Sequence, residues 1–148
     1  MLGLFDFFLR RDAPKRTPRQ ETGREGERAA ARFLKKHGYR ILARNVTYRQ
    51  GEVDLVVQEK RSGAVCFVEV RSRATEAGQT PEISPEETVT PAKRRRIVSA
   101  AKKFLADRRA AEVLARFDVV AIRFRGDDRK HPDVRHYPGA FDAAGHLT

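Results

Sequence analysis

Cysteine is nearly missing from this sequence, since Cys66 is the only one among 148 residues. A single cysteine excludes an internal disulfide framework, and the sequence has no zinc-type spacing of cysteine and histidine. A glycine-rich phosphate-binding loop and internal repeats are also absent. Because Cys66 lies in an apolar run, we interpret it as a small buried hydrophobic residue of a protein from a reducing compartment, not as a nucleophile.

Long apolar segments are missing as well. The apolar stretch at residues 1–9 contains Asp6, has no basic residue before it and is far shorter than the roughly 20 residues of a membrane span. It fits neither a signal peptide nor an anchor. We therefore expect a cytoplasmic protein with no membrane partner, in which residues 1–20 form an apolar tail and a basic linker.

Acidic residues are also in short supply. The chain has 20 Asp and Glu against 31 Lys and Arg, which gives a formal net charge of +11 and a pI near 10.5. This excess predicts a partner that carries many phosphates, and DNA is the class we expect. The alternative is a basic surface that only keeps the protein soluble. Charge indicates the class of partner and not the fold.

The apolar pattern predicts one domain in residues 21–140, followed by a C-terminal tail in residues 141–148. Helical periodicity covers residues 23–37 and, after the cap Thr90 and Pro91, a second segment that ends at about residue 109. Strand-like runs cover residues 39–48, 52–59, 64–71 and 116–124, with a short edge strand at 134–137. The order is α-β-β-β-α-β(-β), an α/β fold with a mixed central sheet flanked by helices. The aperiodic segment between residues 72 and 89 predicts a long loop, and such loops are usually functional or disordered.

Charged residues interrupt the two apolar strands on either side of the turn at residues 60–63. If this turn joins the strands, antiparallel pairing places Asp54 opposite Glu69 and Glu52 opposite Arg71. Because side chains alternate along a strand, Asp54 and Glu69 then share one face. That face also carries Val56, Phe67 and Arg71. The opposite face is wholly apolar and consists of Val53, Leu55, Val57, Cys66, Val68 and Val70.

Two opposed carboxylates on a partly buried face repel each other unless a cation lies between them. Carboxylate ligands, with the other positions left to water and phosphate, suit Mg²⁺ or Mn²⁺, which can polarise a phosphodiester and activate water. The alternative is that Asp54 or Glu69 simply forms an ion pair with Arg71. Glu27 supports the metal site, because it lies on the inward stripe of the first helix, where a carboxylate needs a partner.

A basic cluster opens the second helix and consists of Lys93, Arg94, Arg95 and Arg96. Cations at a helix start oppose the helix dipole, so phosphate contact is favoured over a purely structural role. Lys93 has two interpretations. It lies one turn before Ile97 on the inward stripe and can reach the carboxylates, or it contacts phosphate or solvent. We interpret His136, in the polar region near the C-terminus, as an ordinary exposed histidine.

Five short motifs occur in a fixed order: GREGE at residues 23–27, RN at 44–45, GEVDLV at 51–56, FVEVRSR at 67–73 and KRRRI at 93–97. In this combination the chain resembles the YraN family of uncharacterised bacterial proteins over about residues 20–122. That family looks like the archaeal Holliday-junction resolvases and is usually placed in the PD-(D/E)XK nuclease superfamily, whose fold is restriction-endonuclease-like. The resemblance implies Asp54 as the aspartate of the motif, Glu69 as the carboxylate of its E-x-K part, and Glu27 as the helix glutamate of resolvase-like members.

The resemblance also implies a Mg²⁺- or Mn²⁺-dependent endonuclease that acts on branched or otherwise structured DNA. A homodimer is implied because two strands must be cut symmetrically. The predicted phosphate contacts are Arg71 and Arg73, which lead into the long loop that is a candidate for closing over a backbone, together with the cluster from Lys93 to Arg96.

One position departs from the motif, because Arg71 replaces the lysine of E-x-K. Arginine can stabilise a charged phosphate but is too basic to accept a proton at neutral pH. The alternative function is therefore a non-catalytic nucleic-acid-binding protein that retains the nuclease fold. A protein-interaction subunit that uses the apolar N-terminus is a third interpretation.

Overall fold

The computed structural model of the protein describes residues 15–76 and 89–148. The apolar tail at residues 1–9, most of the basic linker and residues 77–88 of the predicted long loop lie outside the described residues. Among the residues that are described, no helix is long and apolar enough to cross a membrane.

Two helices and five strands make up the fold. Helix α1 (Pro18–Lys36) is followed by strands β1 (Tyr39–Tyr48), β2 (Gly51–Glu59) and β3 (Val65–Thr75). Helix α2 (Pro91–Asp107) then precedes β4 (Ala115–Arg125) and β5 (Asp128–Phe141). The predicted element order is confirmed, including the optional last strand.

Caps explain where the helices begin. The Thr17 side chain accepts a hydrogen bond from the Gln20 backbone N–H and the Gln20 side chain binds back to Thr17, so α1 starts earlier than residue 23, where the apolar pattern placed it. Thr90 caps α2 in the predicted way, by accepting from the Lys93 N–H.

The sheet is mixed and its strands lie in sequence order, β1-β2-β3-β4-β5. The first three strands form an antiparallel meander, β3 and β4 pair in parallel, and β5 returns antiparallel along the edge. The parallel step requires a crossover, and α2 supplies it. The predicted mixed central sheet flanked by helices is therefore confirmed.

Each face of the sheet is covered by one helix. Helix α1 packs on the cluster that contains Leu55, Cys66 and Val68, while α2 packs on the cluster that contains Val56 and Phe67. Both faces of the central strands are buried, which explains why the sequences of these strands are continuous apolar runs. Cys66 is fully buried, as predicted, and burial raises the pKa of its thiol to about 12.

A close approach of helix to sheet places α1 over β3. A Cβ at Gly26 would lie only 1.6 Å from the Ser72 Oγ, so no larger residue fits without a shift of the helix. Glycine costs about 1 kcal/mol in a helix interior relative to alanine, and here that cost permits the contact. The neighbouring Glu27 is thereby brought close to the sheet.

Three details differ from the sequence-based expectations. Strand β5 runs from Asp128 to Phe141, well beyond the predicted residues 134–137, because an edge strand needs few apolar residues. Phe141 is buried and Thr148 N–H donates to the Ala140 carbonyl, so the packed region continues past the predicted domain end at residue 140. Val53 packs with Val56, not on the opposite face, which means that side-chain alternation breaks at Asp54.

Candidate functional site

Divergence of two strands creates the centre of the site. β2 and β3 pair from Gln58↔Val65 to Leu55↔Val68, which is the register that the turn at residues 60–63 predicts. Beyond this point the Asp54 side chain takes the place of a ladder carbonyl, since its Oδ2 accepts a hydrogen bond of 2.7 Å from the Val70 N–H. The Asp54 carboxylate is thus fixed at the point where the strands part. The predicted pairing of Glu52 with Arg71 is wrong, because Glu52 lies beyond the ladder and opposes Thr47 of β1.

Asp54 and Glu69 are neighbouring carboxylates in one cavity. Each side chain affects the pKa of the other, and Glu69 is only 3% exposed. Burial raises the pKa of Glu69 to about 8, and the adjacent Asp54 carboxylate adds to this rise. Burial also raises the pKa of Asp54, against the effect of the Val70 N–H. Two carboxyl groups in such contact hold a proton between them when no other cation is present.

Two cations approach the same oxygen of this pair. The Lys93 Nζ lies 2.5 Å from Glu69 Oε1, and the Arg71 Nη1 lies 3.9 Å from it. Of the two interpretations of Lys93, the structure therefore supports the one in which it reaches the carboxylates. Arg71 is more distant and its side chain is 39% exposed. Arg71 holds the position of the E-x-K lysine, and Lys93 of α2 supplies a lysine ammonium to the same carboxylate.

Glu27 stands beside the pair but does not complete a set of three ligands. It lines the same cavity as Asp54 and Glu69. Burial raises the pKa of Glu27, and the Asp54 carboxylate raises it further. Over residues 15–76 and 89–148, no group of three His, Cys, Asp or Glu side chains is close enough to hold a metal ion. The expected approach of Glu27 to Asp54 and Glu69 is present, since all three side chains line one cavity.

Asn45 belongs to the RN motif at residues 44–45, but the sequence pattern assigned it no role in the site. Its side-chain amide interacts with the Glu27 carboxylate and so opposes the rise in the Glu27 pKa. Its backbone has a φ of 49°, the left-handed region that residues other than glycine rarely adopt. The β1–β2 register passes from Arg44↔Leu55 to Val46↔Val53, so Asn45 falls opposite Asp54. The same irregularity that breaks the alternation at Asp54 turns an amide toward Glu27.

The carboxylates lie in a cavity of 470 Å³ with a cationic rim. The first half of β2 and the second half of β3 form its floor, and the starts of α1 and α2 form its sides. Its cationic lining residues are Arg19, Arg71, Arg73, Lys93 and Arg129. Arg129 also lies 3.5 Å from Glu25 of α1. A small anion at the rim would meet positive charge while the floor attracts a cation.

The basic cluster of α2 is divided by the structure. Arg95 and Arg96 are exposed, as phosphate contacts must be, and so is Arg73 of β3. The expectation that Arg94 contacts phosphate needs correction. Its side chain is buried, with the residue 8% exposed, and its guanidinium donates to the Gly145 and Val89 carbonyls at 2.7 Å each. Arg94 therefore ties the C-terminal segment to the start of α2, and its guanidinium is not available for a phosphate contact.

A second buried polar cluster lies on β4 and β5. Asp118 is fully buried and accepts hydrogen bonds from Arg116 Nε and from the Gly139 N–H, at 2.8 and 3.0 Å. His136 Nε2 lies 2.8 Å from the same carboxylate. These contacts hold the pKa of Asp118 below its ordinary value in spite of burial. The interpretation of His136 as exposed is wrong, since its side chain is 11% exposed and packs on Tyr39.

The sequence profile of the uncharacterised protein family UPF0102 matches residues 26–122. The span includes Glu27, Asn45, Asp54, Glu69 and Lys93. The UPF0102 protein of Anaeromyxobacter dehalogenans (strain 2CP-C) is 48% identical over 127 residues, which is 86% of this chain and 88% of the relative.

Two further relatives cover nearly their whole length. The UPF0102 protein of Myxococcus xanthus (strain DK1622) is 44% identical over 135 residues, which is 91% of this chain and 98% of that protein. The one from Syntrophotalea carbinolica (strain DSM 2380 / NBRC 103641 / GraBd1) is 42% identical over 127 residues, which is 86% of this chain and 96% of that protein.

Proposed function

The chain belongs to the uncharacterised protein family UPF0102, the YraN family, and on that premise we propose that it is a Mg²⁺- or Mn²⁺-dependent endonuclease that hydrolyses phosphodiester bonds of DNA. One observation carries the proposal. Asp54 and Glu69 line the floor of one cavity, and the Lys93 Nζ lies 2.5 Å from Glu69 Oε1. A buried acidic pair with one adjacent lysine and a cationic rim suits both a divalent ion and a phosphate.

The donor set fits a hard divalent cation. Asp54 and Glu69 supply carboxylate oxygens, and among the described residues that line the cavity there is no cysteine or histidine. Mg²⁺ is held in proteins by one or two carboxylates and keeps several waters, so two ligands are sufficient. When bound, such an ion supplies Lewis-acid polarisation of the phosphate and lowers the pKa of a water. The raised pKa of Glu69 marks the electrostatic cost that a cation would remove.

The chain's own groups are assigned as follows. Asp54 and Glu69 hold the ion, and the Val70 N–H orients Asp54. Lys93 orients the attacking water and offsets the charge that develops on the phosphate, which is the role left open by Arg71 at the usual lysine position. Arg71 and Arg73 bind nonbridging phosphate oxygens. In the hydrolysis, the attacking water gives one proton to solvent as its oxygen bonds to phosphorus, one ester P–O bond breaks, and the departing oxygen takes up a proton from solvent.

The substrate class rests on charge and on the family resemblance. Resemblance to resolvases favours branched or otherwise structured DNA and a homodimer that cuts two strands symmetrically. The exposed cations at the rim contact backbone phosphates and carry no base information, so little sequence preference is expected. Binding to any DNA form should weaken steeply with added salt.

Cleavage of a defined panel of DNAs tests the proposal. Linear, nicked, flapped and four-way DNAs are incubated with the protein in Mg²⁺, in Mn²⁺ and in EDTA. We expect metal-dependent cleavage that Asp54→Asn and Glu69→Gln each abolish, and that the remote, exposed control Glu112→Gln retains. Undiminished cleavage by both carboxylate variants would assign the activity to a contaminating nuclease and contradict the proposal.

A second function is favoured by a single position. Arg71 stands where the motif has lysine, and an arginine there fits a nucleic-acid-binding protein that has kept the fold and lost the chemistry. That alternative predicts tight, salt-sensitive DNA binding with neither cleavage nor divalent-ion affinity. The same panel separates the two functions, because only the endonuclease yields metal-dependent products.

A further inference from the structure

A second groove lies beside the proposed metal site. It has a volume of 690 Å³ and runs between the β1–β2 turn and the start of α2. We propose that this groove binds the phosphodiester backbone next to the cleaved bond, with Arg49 and Arg96 as its phosphate ligands. This inference rests on the proposed endonuclease function. Neither the family nor the motifs assign a role to Arg49.

The groove is continuous with the proposed metal site through one residue. Lys93 lines both cavities, and it is the only residue that the two linings have in common among the described parts of the chain. Its Nζ reaches Glu69 on one side, while Lys93 lines the groove together with Thr90 and Ala92 on the other. A strand whose phosphate meets the carboxylates therefore leaves the site over Lys93 and enters the groove.

The packing of the turn against the helix fixes the two arginines relative to each other. A Cβ at Gly51 would lie 2.5 Å from the Arg96 carbonyl oxygen and 2.9 Å from the Arg96 Cβ. The missing side chain lets the turn lie directly on α2. Arg49 is two residues before this contact and Arg96 is in it, so both arginines belong to one rigid corner of the groove.

The charges of the groove suit a polyanion. Arg49 and Arg96 are both exposed, and neither forms an ion pair within the residues that the structure describes. The first turn of α2 contains no acidic residue to balance its cations. Among the described residues that line the groove, one is acidic, Glu52, and three are cationic: Arg49, Lys93 and Arg96. The phosphates of a nucleic acid backbone would supply the negative charge that this lining lacks.

Tyr48 adds an aromatic surface to the same lining. Its ring is half-buried against the core cluster beneath α2 and borders the groove. A ring in this position can stack with a base, which favours a strand that is unpaired beside the cut. The chemistry of the groove thus combines two phosphate ligands with one stacking platform.

Equilibrium binding measured in EDTA, where no cleavage can occur, tests the groove. The wild type, Arg49→Ala/Arg96→Ala and the control Lys35→Ala/Lys36→Ala are titrated with a single-stranded and a duplex oligonucleotide at several salt concentrations. The control removes the same charge from an exposed site at the end of α1. We expect the groove variant to lose affinity about tenfold or more and to reduce the salt slope by about one per arginine. Thermal unfolding of both variants should match the wild type.

The outcomes separate this inference from the proposed function. If the wild type binds DNA and the groove variant matches the Lys35/Lys36 control in affinity and salt slope, the groove assignment is wrong while the endonuclease proposal stands. If the wild type binds neither oligonucleotide and cleaves no DNA of the panel, the proposed function itself fails. Loss of affinity that is confined to the groove variant, with a reduced slope, supports the groove.

Discussion

Replacing Glu69 with glutamine should stabilise the metal-free protein at neutral and alkaline pH. Burial and the Asp54 carboxylate raise the pKa of Glu69 from 4.5 to about 8 in the folded protein. A carboxyl whose pKa is raised by folding stabilises the native state in its protonated form below pH 4.5. That contribution is lost as the pH rises through 8. Glutamine keeps the shape without the charge, so the variant escapes this loss.

The magnitude follows from the two pKa values. At pH 7 the unfolded chain ionises this carboxyl fully, while the folded protein keeps it mostly protonated. Each unit of pH above 4.5 therefore lowers the free energy of unfolding of the wild type by about 1.4 kcal/mol. The loss is about 3 kcal/mol at pH 7. Glutamine is a weaker acceptor for the Lys93 ammonium, and this loss offsets part of the gain. We expect a net stabilisation of about 1 to 2 kcal/mol at pH 7, and more at pH 8.5.

Urea unfolding with EDTA at pH 5, 7 and 8.5 measures the effect. The free energy of unfolding of Glu69→Gln should exceed that of the wild type by an amount that grows with pH. Glu112→Gln, at an exposed position, should follow the wild type at every pH. Addition of Mg²⁺ should stabilise the wild type and leave Glu69→Gln unchanged. A difference between Glu69→Gln and the wild type that stays constant from pH 5 to 8.5 would refute the reasoning.

Three further predictions concern residues around the pair. Lys93→Ala should lower the single-turnover cleavage rate by about 100-fold or more, while Arg71→Lys preserves or raises it; equal rates for Lys93→Ala and wild type would remove Lys93 from the site. Asn45→Gly should leave the free energy of unfolding nearly unchanged because glycine accepts a φ of 49°, whereas Asn45→Ala should cost about 1 kcal/mol; urea unfolding that ranks them in the reverse order contradicts this. Arg94→Ala should destabilise by about 2 to 3 kcal/mol in the same assay because two carbonyls lose their donor, and Arg95→Ala should stay within about 0.5 kcal/mol.

The parts of the site that follow local patterns could be predicted. The length of the turn at residues 60–63 sets the β2–β3 register, and register places Asp54 and Glu69 together. The helical phase of α1 in the same way places Glu27 on its inward side. These inferences need only the period of each element and one turn, so a single sequence is sufficient for them.

Contacts that depend on irregular backbone or distant partners could not be predicted. Asn45 requires a left-handed residue inside a strand, and no periodicity indicates one. Arg94 reads as one more cation of a basic helix start, yet it binds the Gly145 carbonyl far along the chain. Asp118 interrupts an apolar strand and meets His136 and the Gly139 N–H only after β5 has paired. In each case the deciding partner is set by tertiary packing and not by local sequence.

Direct measurement of Mn²⁺ binding tests the central claim that Asp54 and Glu69 form a divalent-metal site. Calorimetric titration of the metal-free protein, without DNA, at pH 6 and pH 8 measures affinity independently of cleavage. Binding should strengthen from pH 6 to pH 8, because protons compete for the Glu69 carboxylate below its pKa of about 8. Asp54→Asn should weaken binding about tenfold or more at both values, while Glu112→Gln binds as the wild type does. Equal Mn²⁺ affinity for Asp54→Asn and the wild type at pH 8 would contradict the account.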